Sequence, residues 1–210
     1  MKNDVIGNVL LRLSNLLEER HFDKLETNML LVGSPEEHRR MINILENNPD
    51  LTEEECLHII KQNENSVFYI AYGSNISKKQ MEERCPGAEP IDAQALKGYR
   101  LDFHQYLTIE KDPNYSVPIV IWKITRKHEA TLDSREGVYI GIYRKEYIVL
   151  TIEGKKYACL VYIMNDIPER RNVVPEPKYL DTCLNGYRDF GFDPATLLEA
   201  YNRVRSFEET

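Results

Sequence analysis

The sequence predicts an α+β protein: a small mixed or antiparallel, barrel-like sheet flanked by helices and preceded by an all-helical N-terminal unit. Three observations carry this expectation. Apolar residues recur at three- and four-residue spacing in the first third of the chain, the helical period. Further on, short runs rich in Val, Ile and Tyr take turns with polar helical stretches. The chemistry changes at the same place: residues 1–65 hold 7 Lys/Arg against 13 Asp/Glu, a net of −6, while residues 66–210 net −1. Of the 13 Tyr, 6 Phe and 1 Trp, only Phe22 precedes residue 66. Two units are therefore expected, residues 1–65 and 66–210, with the junction at 61–66.

In the first unit, Val5, Ile6, Val9, Leu10, Leu13, Leu16 and Leu17 form a one-faced helical stripe. Ser34-Pro35-Glu36-Glu37 is a helix start, with Ser as cap, Pro in the first turn and Glu37 closing a capping box. Thr52-Glu53-Glu54-Glu55 repeats the box before Cys56, Leu57, Ile59 and Ile60. The unit is expected to pack on its neighbour or on a second copy, as a homodimer, with docking of another partner as the alternative. In the second unit, Val67-Phe68-Tyr69-Ile70-Ala71 reads as an apolar strand ending at Tyr72-Gly73-Ser74-Asn75, and residues 77–84 as a helix. Residues 98–109, 117–124, 142–152 and 156–164 read as strands. Residues 126–135 and 178–189 read as helices, and Pro194 opens a last one.

Composition excludes several classes. With 42% hydrophobic and 29% charged residues the 210-residue chain is not globally disordered. A net charge of −7 gives no footprint for duplex nucleic acid. Cys56, Cys85, Cys159 and Cys183 form no C-x-x-C pair, the pattern of scattered reduced thiols. No run approaches the ~20 apolar residues of a membrane span, and the N-terminus reads as an amphipathic helix rather than a signal peptide. A cytoplasmic location and no membrane partner are expected. His21, His38, His58, His104 and His128 show no i, i+3 or i, i+4 pairing, and there is no P-loop or G-x-G-x-x-G, so neither metal nor cofactor is expected.

Two segments can carry chemistry. Tyr72-Gly73-Ser74-Asn75 sits where an apolar strand gives way to a polar helix. Glycine permits close backbone approach there, and successive N–H groups can point outward toward a carboxylate or a developing oxyanion. The second segment runs from Leu132 to Tyr143. Glu136 is followed at once by Gly137, which puts its carboxylate at a bend among Val138, Tyr139, Ile142 and Tyr143. Desolvation by such neighbours raises a carboxyl pKa and suits a general base. Asp133, three residues earlier, offers a carboxylate pair as an alternative.

Taken together these segments resemble the γ-glutamylcyclotransferase family. That family shows a strand ending in Y-G-S-N, here residues 72–75, a strand with L-D-F, here Leu101-Asp102-Phe103, and V-x-W, here Val120-Ile121-Trp122. It also shows L-D-x-x-E-G-V-x-x-G-x-Y, filled at every fixed position by residues 132–143, and P-x-Y, here Pro177-Lys178-Tyr179. The resemblance covers about residues 67–205. Ile119 and Tyr187 stand where the family often has glycine and a small residue, departures that bear on the pocket wall and substrate identity.

The resemblance implies a β-barrel-like sheet and conversion of a small γ-glutamyl compound to 5-oxoproline and a free amine or amino acid. Glu136 is then the expected general acid/base. Tyr69, Ile70, Ala71, Tyr72, Gly73, Ser74 and Asn75, with Tyr143 and Tyr179, form the expected substrate-binding set. No metal, nucleotide or covalent intermediate is implied. The competing expectation is a non-catalytic small-molecule or partner-binding module that retains the fold.

Overall fold

The computed structural model describes residues 2–23, 27, 30–62 and 66–207, without the side chains of residues 2–8, 53 and 60–62. The side chains of Val5, Ile6 and Ile60, and residues 63–65 of the expected junction, lie outside the described residues. The chain divides into two units, residues 1–64 with 147–159, and residues 65–146 with 160–210.

The first unit contains α1 (Lys2–Glu19), α2 (Pro35–Asn47) and α3 (Glu53–Gln62). Leu13 and Leu17 of the stripe are fully buried, as are Ile44 and Leu45 of α2. Each buried aliphatic side chain of this kind contributes roughly 1.5–3 kcal/mol. Both capping boxes form. Ser34 Oγ accepts from Glu37 N at 3.2 Å while Ser34 N donates to Glu37 Oε2 at 2.7 Å, and Thr52 and Glu55 make the same exchange at 3.3 and 3.0 Å. Arg20 donates to the carbonyls of Leu45, Asn48 and Leu51, closing the end of α2 where carbonyls lack helical partners. Residues 147–159, a strand-hairpin tip, belong to this unit. Tyr147 N donates to Asn43 Oδ1 at 2.9 Å, Arg40 lies over the Tyr147 ring, and Lys156 pairs with Glu55 at 2.8 Å.

The second unit contains β1 (Val67–Ala71), β2 (Glu89–His104), β3 (Tyr106–Ile124), the start of β4 (Tyr143–Ile152) and the end of β5 (Lys155–Met164), the rest of these two strands being the tip at residues 147–159. The sheet order is β2-β3-β1-β5-β4. β1 is central, antiparallel to β3 and parallel to β5, with Tyr69 opposite Trp122 and Leu160. A sheet buried on both sides of a central strand accounts for the nearly continuous apolar run of β1. The mixed sheet is as expected, but it is not closed into a barrel. Its outer strands β2 and β4 are edges, and closure would need a ladder between them. The strand expected over residues 98–109 is also corrected. The chain reverses at Gln105, whose φ of 69° is left-handed, and β2 folds back on β3 with His104 opposite Tyr106. No glycine or asparagine marks this reversal, so turn chemistry did not announce it.

Helices α4 (Lys78–Arg84), α5 (Arg126–Arg135), α6 (Pro177–Asp189) and α7 (Ala195–Arg205) complete the unit. α5 starts in a box between Thr125 and His128. α7 is tied to β2 by Arg203, which donates to Leu101 O at 2.6 Å. α6 lies so close to the turn after β1 that a Cβ on Gly186 would meet the backbone of Ile76 and Ser77. Among the described residues no helix is long and apolar enough to cross a membrane. The four cysteines are buried and form no disulfide with one another.

Candidate active site

The site begins where β1 stops. After Ala71 the chain turns through Tyr72 and Gly73 into a single 3-10 turn, Ser74–Ile76, and Ser77 then caps α4. Ile76 N and Ser77 N bond back to Gly73 O and Ser74 O. No acceptor among the described residues takes the N–H of Gly73, Ser74 or Asn75. Successive donors of this kind at a helix-like entrance can receive an anionic or carbonyl oxygen. Gly73 has a φ of −112°, so it is not required by a left-handed backbone. Space is the reason: a Cβ would lie 3.2 Å from the Tyr179 hydroxyl and 3.5 Å from Leu107 Cβ.

Glu136 arrives from the opposite direction, as the residue that ends α5. Gly137 follows at φ 64°, and a Cβ there would strike Ile142 Cδ1 at 2.8 Å, so a glycine both turns the chain and makes room. The Glu136 carboxylate is mostly buried, its side chain 17% exposed. Oε1 accepts from Asn75 Nδ2 at 3.2 Å and lies 3.4 Å from Arg84 Nη1. Burial pushes its pKa above the ordinary carboxylate range, against the opposing pull of the Arg84 charge and the Asn75 hydrogen bond.

Tyrosines make the walls of a small pocket that opens onto Glu136 and the turn. The Tyr143 hydroxyl donates to Leu107 O at 2.8 Å, and the Tyr179 hydroxyl accepts from Leu107 N at 3.1 Å. One residue of β3 thus aligns two aromatic rings from β4 and α6. The Tyr69 hydroxyl accepts from Asn75 Nδ2 at 2.7 Å, and the Tyr72 hydroxyl donates to Tyr162 O at 2.6 Å. Burial, with the nearby Glu136 charge adding to it, pushes the pKa of Tyr69, Tyr72, Tyr143 and Tyr179 well up. These hydroxyls stay protonated and orient neighbours, leaving Glu136 as the carboxylate of the pocket.

Comparison with known proteins finds relatives of this chain. A profile of the AIG2-like family matches residues 116–193. A γ-glutamylcyclotransferase from Bos taurus is 30% identical over 166 residues, 73% of this chain and 85% of the relative. The γ-glutamylcyclotransferase from Homo sapiens is 28% identical over the same shares of the two chains. This chain belongs to the γ-glutamylcyclotransferase family. A solved γ-glutamyl cyclotransferase superposes on 67% of it, covering 86% of that structure, at a TM-score of 0.55 and 26% identity.

In this γ-glutamylcyclotransferase-family chain, the expected residues Tyr69, Tyr72, Gly73, Ser74, Asn75, Glu136, Tyr143 and Tyr179 all line one pocket. Ile70 and Ala71 do not; both are fully buried in the sheet. Ile119 and Tyr187, expected to bear on the pocket wall, are also core residues outside the lining. Asp133 does not pair with Glu136. It is held by Lys145 at 3.1 Å and by the Tyr162 hydroxyl at 2.7 Å. Leu107 and Tyr162 line the pocket unannounced, and Gln80 and Arg84 reach Asn75 from α4. The four-residue spacing of Gln80 and Arg84 after the Ser77 cap was the available signal. Among the described residues, Asp102, His104 and Glu110 alone bring metal-type ligand atoms together, and Arg100 already bridges Asp102 and Glu110.

Proposed function

We propose that this protein is an enzyme that converts a small γ-glutamyl compound, a γ-glutamyl-amino acid or γ-glutamylamine, to 5-oxoproline and the free amine. The observation that carries the proposal is one pocket lined by a buried carboxylate, Glu136, and by residues 73–75, whose N–H groups have no acceptor among the described residues. Glu136 takes a proton from the substrate's α-ammonium. The freed amine attacks the γ-carbonyl carbon and closes a five-membered ring. Charge develops on the carbonyl oxygen, which the turn's N–H groups stabilise. The tetrahedral centre then collapses: the bond to the leaving nitrogen breaks as protonated Glu136 gives its proton to that nitrogen, and the second proton of the ring nitrogen passes to the freed Glu136 carboxylate and on to the departing amine, which leaves as an ammonium ion.

The nucleophile and electrophile belong to one molecule, so holding the chain curled supplies much of the acceleration. Tyrosine walls that exclude water strengthen each of these electrostatic contacts. The test is incubation with a panel of γ-glutamyl dipeptides and γ-glutamylamines, scored by chromatography for 5-oxoproline. Release by wild type that Glu136→Gln abolishes supports the reading. No release from any panel member, at millimolar substrate and with folded protein, overturns it.

A further inference from the structure

Glu136 is held from behind by α4. Gln80 and Arg84 stand four residues apart on that helix and converge on one atom. Gln80 Nε2 lies 3.0 Å, and Arg84 Nη1 2.8 Å, from Asn75 Oδ1. An amide oxygen that takes two donors decides which way its amide faces. Asn75 Nδ2 is therefore turned toward the Tyr69 hydroxyl at 2.7 Å and Glu136 Oε1 at 3.2 Å. The same Arg84 nitrogen lies 3.4 Å from Glu136 Oε1. Oε1 is thus engaged twice, while Oε2 makes no hydrogen bond among the described residues.

We infer that Arg84 is a positioning residue: directly and through Asn75, it pins Glu136 Oε1 and sets a counter-charge beside the carboxylate, leaving Oε2 to move the proton. The inference rests on the reading of Glu136 as the base. The groups facing the carboxylate are Tyr69 of β1, Tyr72 and Asn75 of the turn, Arg84 of α4, Tyr143 of β4 and Tyr179 of α6. On its own helix Asp133 is paired with Lys145. Arg84 is the only cation within hydrogen-bond reach of Glu136 among the described residues. It is absent from the pocket lining, so its action on the substrate runs through Glu136. Buried surroundings disfavour an ionised carboxylate, and one adjacent guanidinium is the counterweight.

The test compares wild type with Arg84→Met and Arg84→Lys, with Arg84→Gln in reserve should the methionine variant not fold. Two readouts are taken. The first, without substrate, is the titration of the Glu136 carboxyl carbon by NMR in carboxyl-labelled protein. The second is the pH dependence of kcat/KM with the panel compound that wild type turns over fastest. Loss of the cation should move the carboxyl titration up by about 1–2 pH units. The acid limb of kcat/KM should move with it, costing roughly 10–100-fold below the limb and little above it. Arg84→Lys, which keeps the charge, should return most of the way. A carboxyl titration that stays at its wild-type position in Arg84→Met or Arg84→Gln overturns the inference. A titration that moves while the rate limb does not upholds the hold of Arg84 on Glu136 and overturns the base role proposed above.

Discussion

Replacing Gly186 by alanine asks whether α6 positions the site. A Cβ at residue 186 would lie 2.6 Å from Ser77 N and 2.9 Å from Ile76 C. These are backbone atoms of the turn that follows β1, and they cannot rotate aside as a flexible side chain can. Ordinary contact begins at 3.4 Å, so α6 and the turn must part by about 0.8 Å. Overpacking of this kind costs about 1–3 kcal/mol, and in a chain of this length each kcal/mol lowers Tm by roughly 2–4 °C. α6 also carries Tyr179, whose hydroxyl is 3.1 Å from Leu107 N, so the same movement disturbs the pocket wall. A misplacement near 1 Å costs on the order of 10²-fold in rate. The measurements are thermal melts and 5-oxoproline release per folded molecule. Gly191→Ala is the control: its φ of 68° adds strain, but nothing lies within 4 Å of the new Cβ. That variant should lose about 1–2 kcal/mol and keep its turnover. Wild-type kinetics in both variants, with equal losses in Tm, would refute the claim that α6 seats the site.

Glu136→Gln should lower turnover by about 10²–10⁴-fold, the usual cost of losing a general base, without loss of stability. Burial raises the Glu136 pKa in the folded protein, so its contribution to stability is complete below the ordinary value of 4.5 and is lost as pH rises through the folded value. The glutamine variant, which mimics the neutral acid, should therefore gain in Tm on wild type as pH rises through that window; a gap that narrows instead contradicts the burial argument. Gly73→Ala should harm kcat/KM more than stability, because the new Cβ presses on the Tyr179 hydroxyl at 3.2 Å and meets no backbone. A drop in Tm with unchanged kinetics would show that the turn serves only the fold. Removing residues 1–64 strips residues 147–159 of their helical partners, Asn43 and Glu55 among them, and should lower solubility. Turnover per folded molecule should persist, since every pocket-lining residue lies in the other unit; a soluble, folded but inactive truncation would disprove this.

Much of this site was legible in the sequence because its parts are local. The strand–turn–helix at residues 67–84 is spelled by an apolar run, a glycine and a serine cap. The placement of Glu136 follows from a helix that ends at Arg135 and a glycine that turns the chain at once. The capping boxes at Ser34 and Thr52 are equally local, since each pairs residues three positions apart. Backbone preference and hydrogen bonds between near neighbours decide such features, so one stretch of sequence contains the whole cause. Tertiary structure alone decided the rest. The reversal at Gln105 carries no turn residue, yet it brings Leu107 between Tyr143 and Tyr179. Whether the sheet closes depends on where β2 and β4 end up, which alternation along either strand does not specify. Arg84 meets Glu136 across 52 positions, and Tyr162 meets Asp133 across 29. Residues that far apart are joined by the packing of whole elements, and no spacing within the chain encodes that meeting.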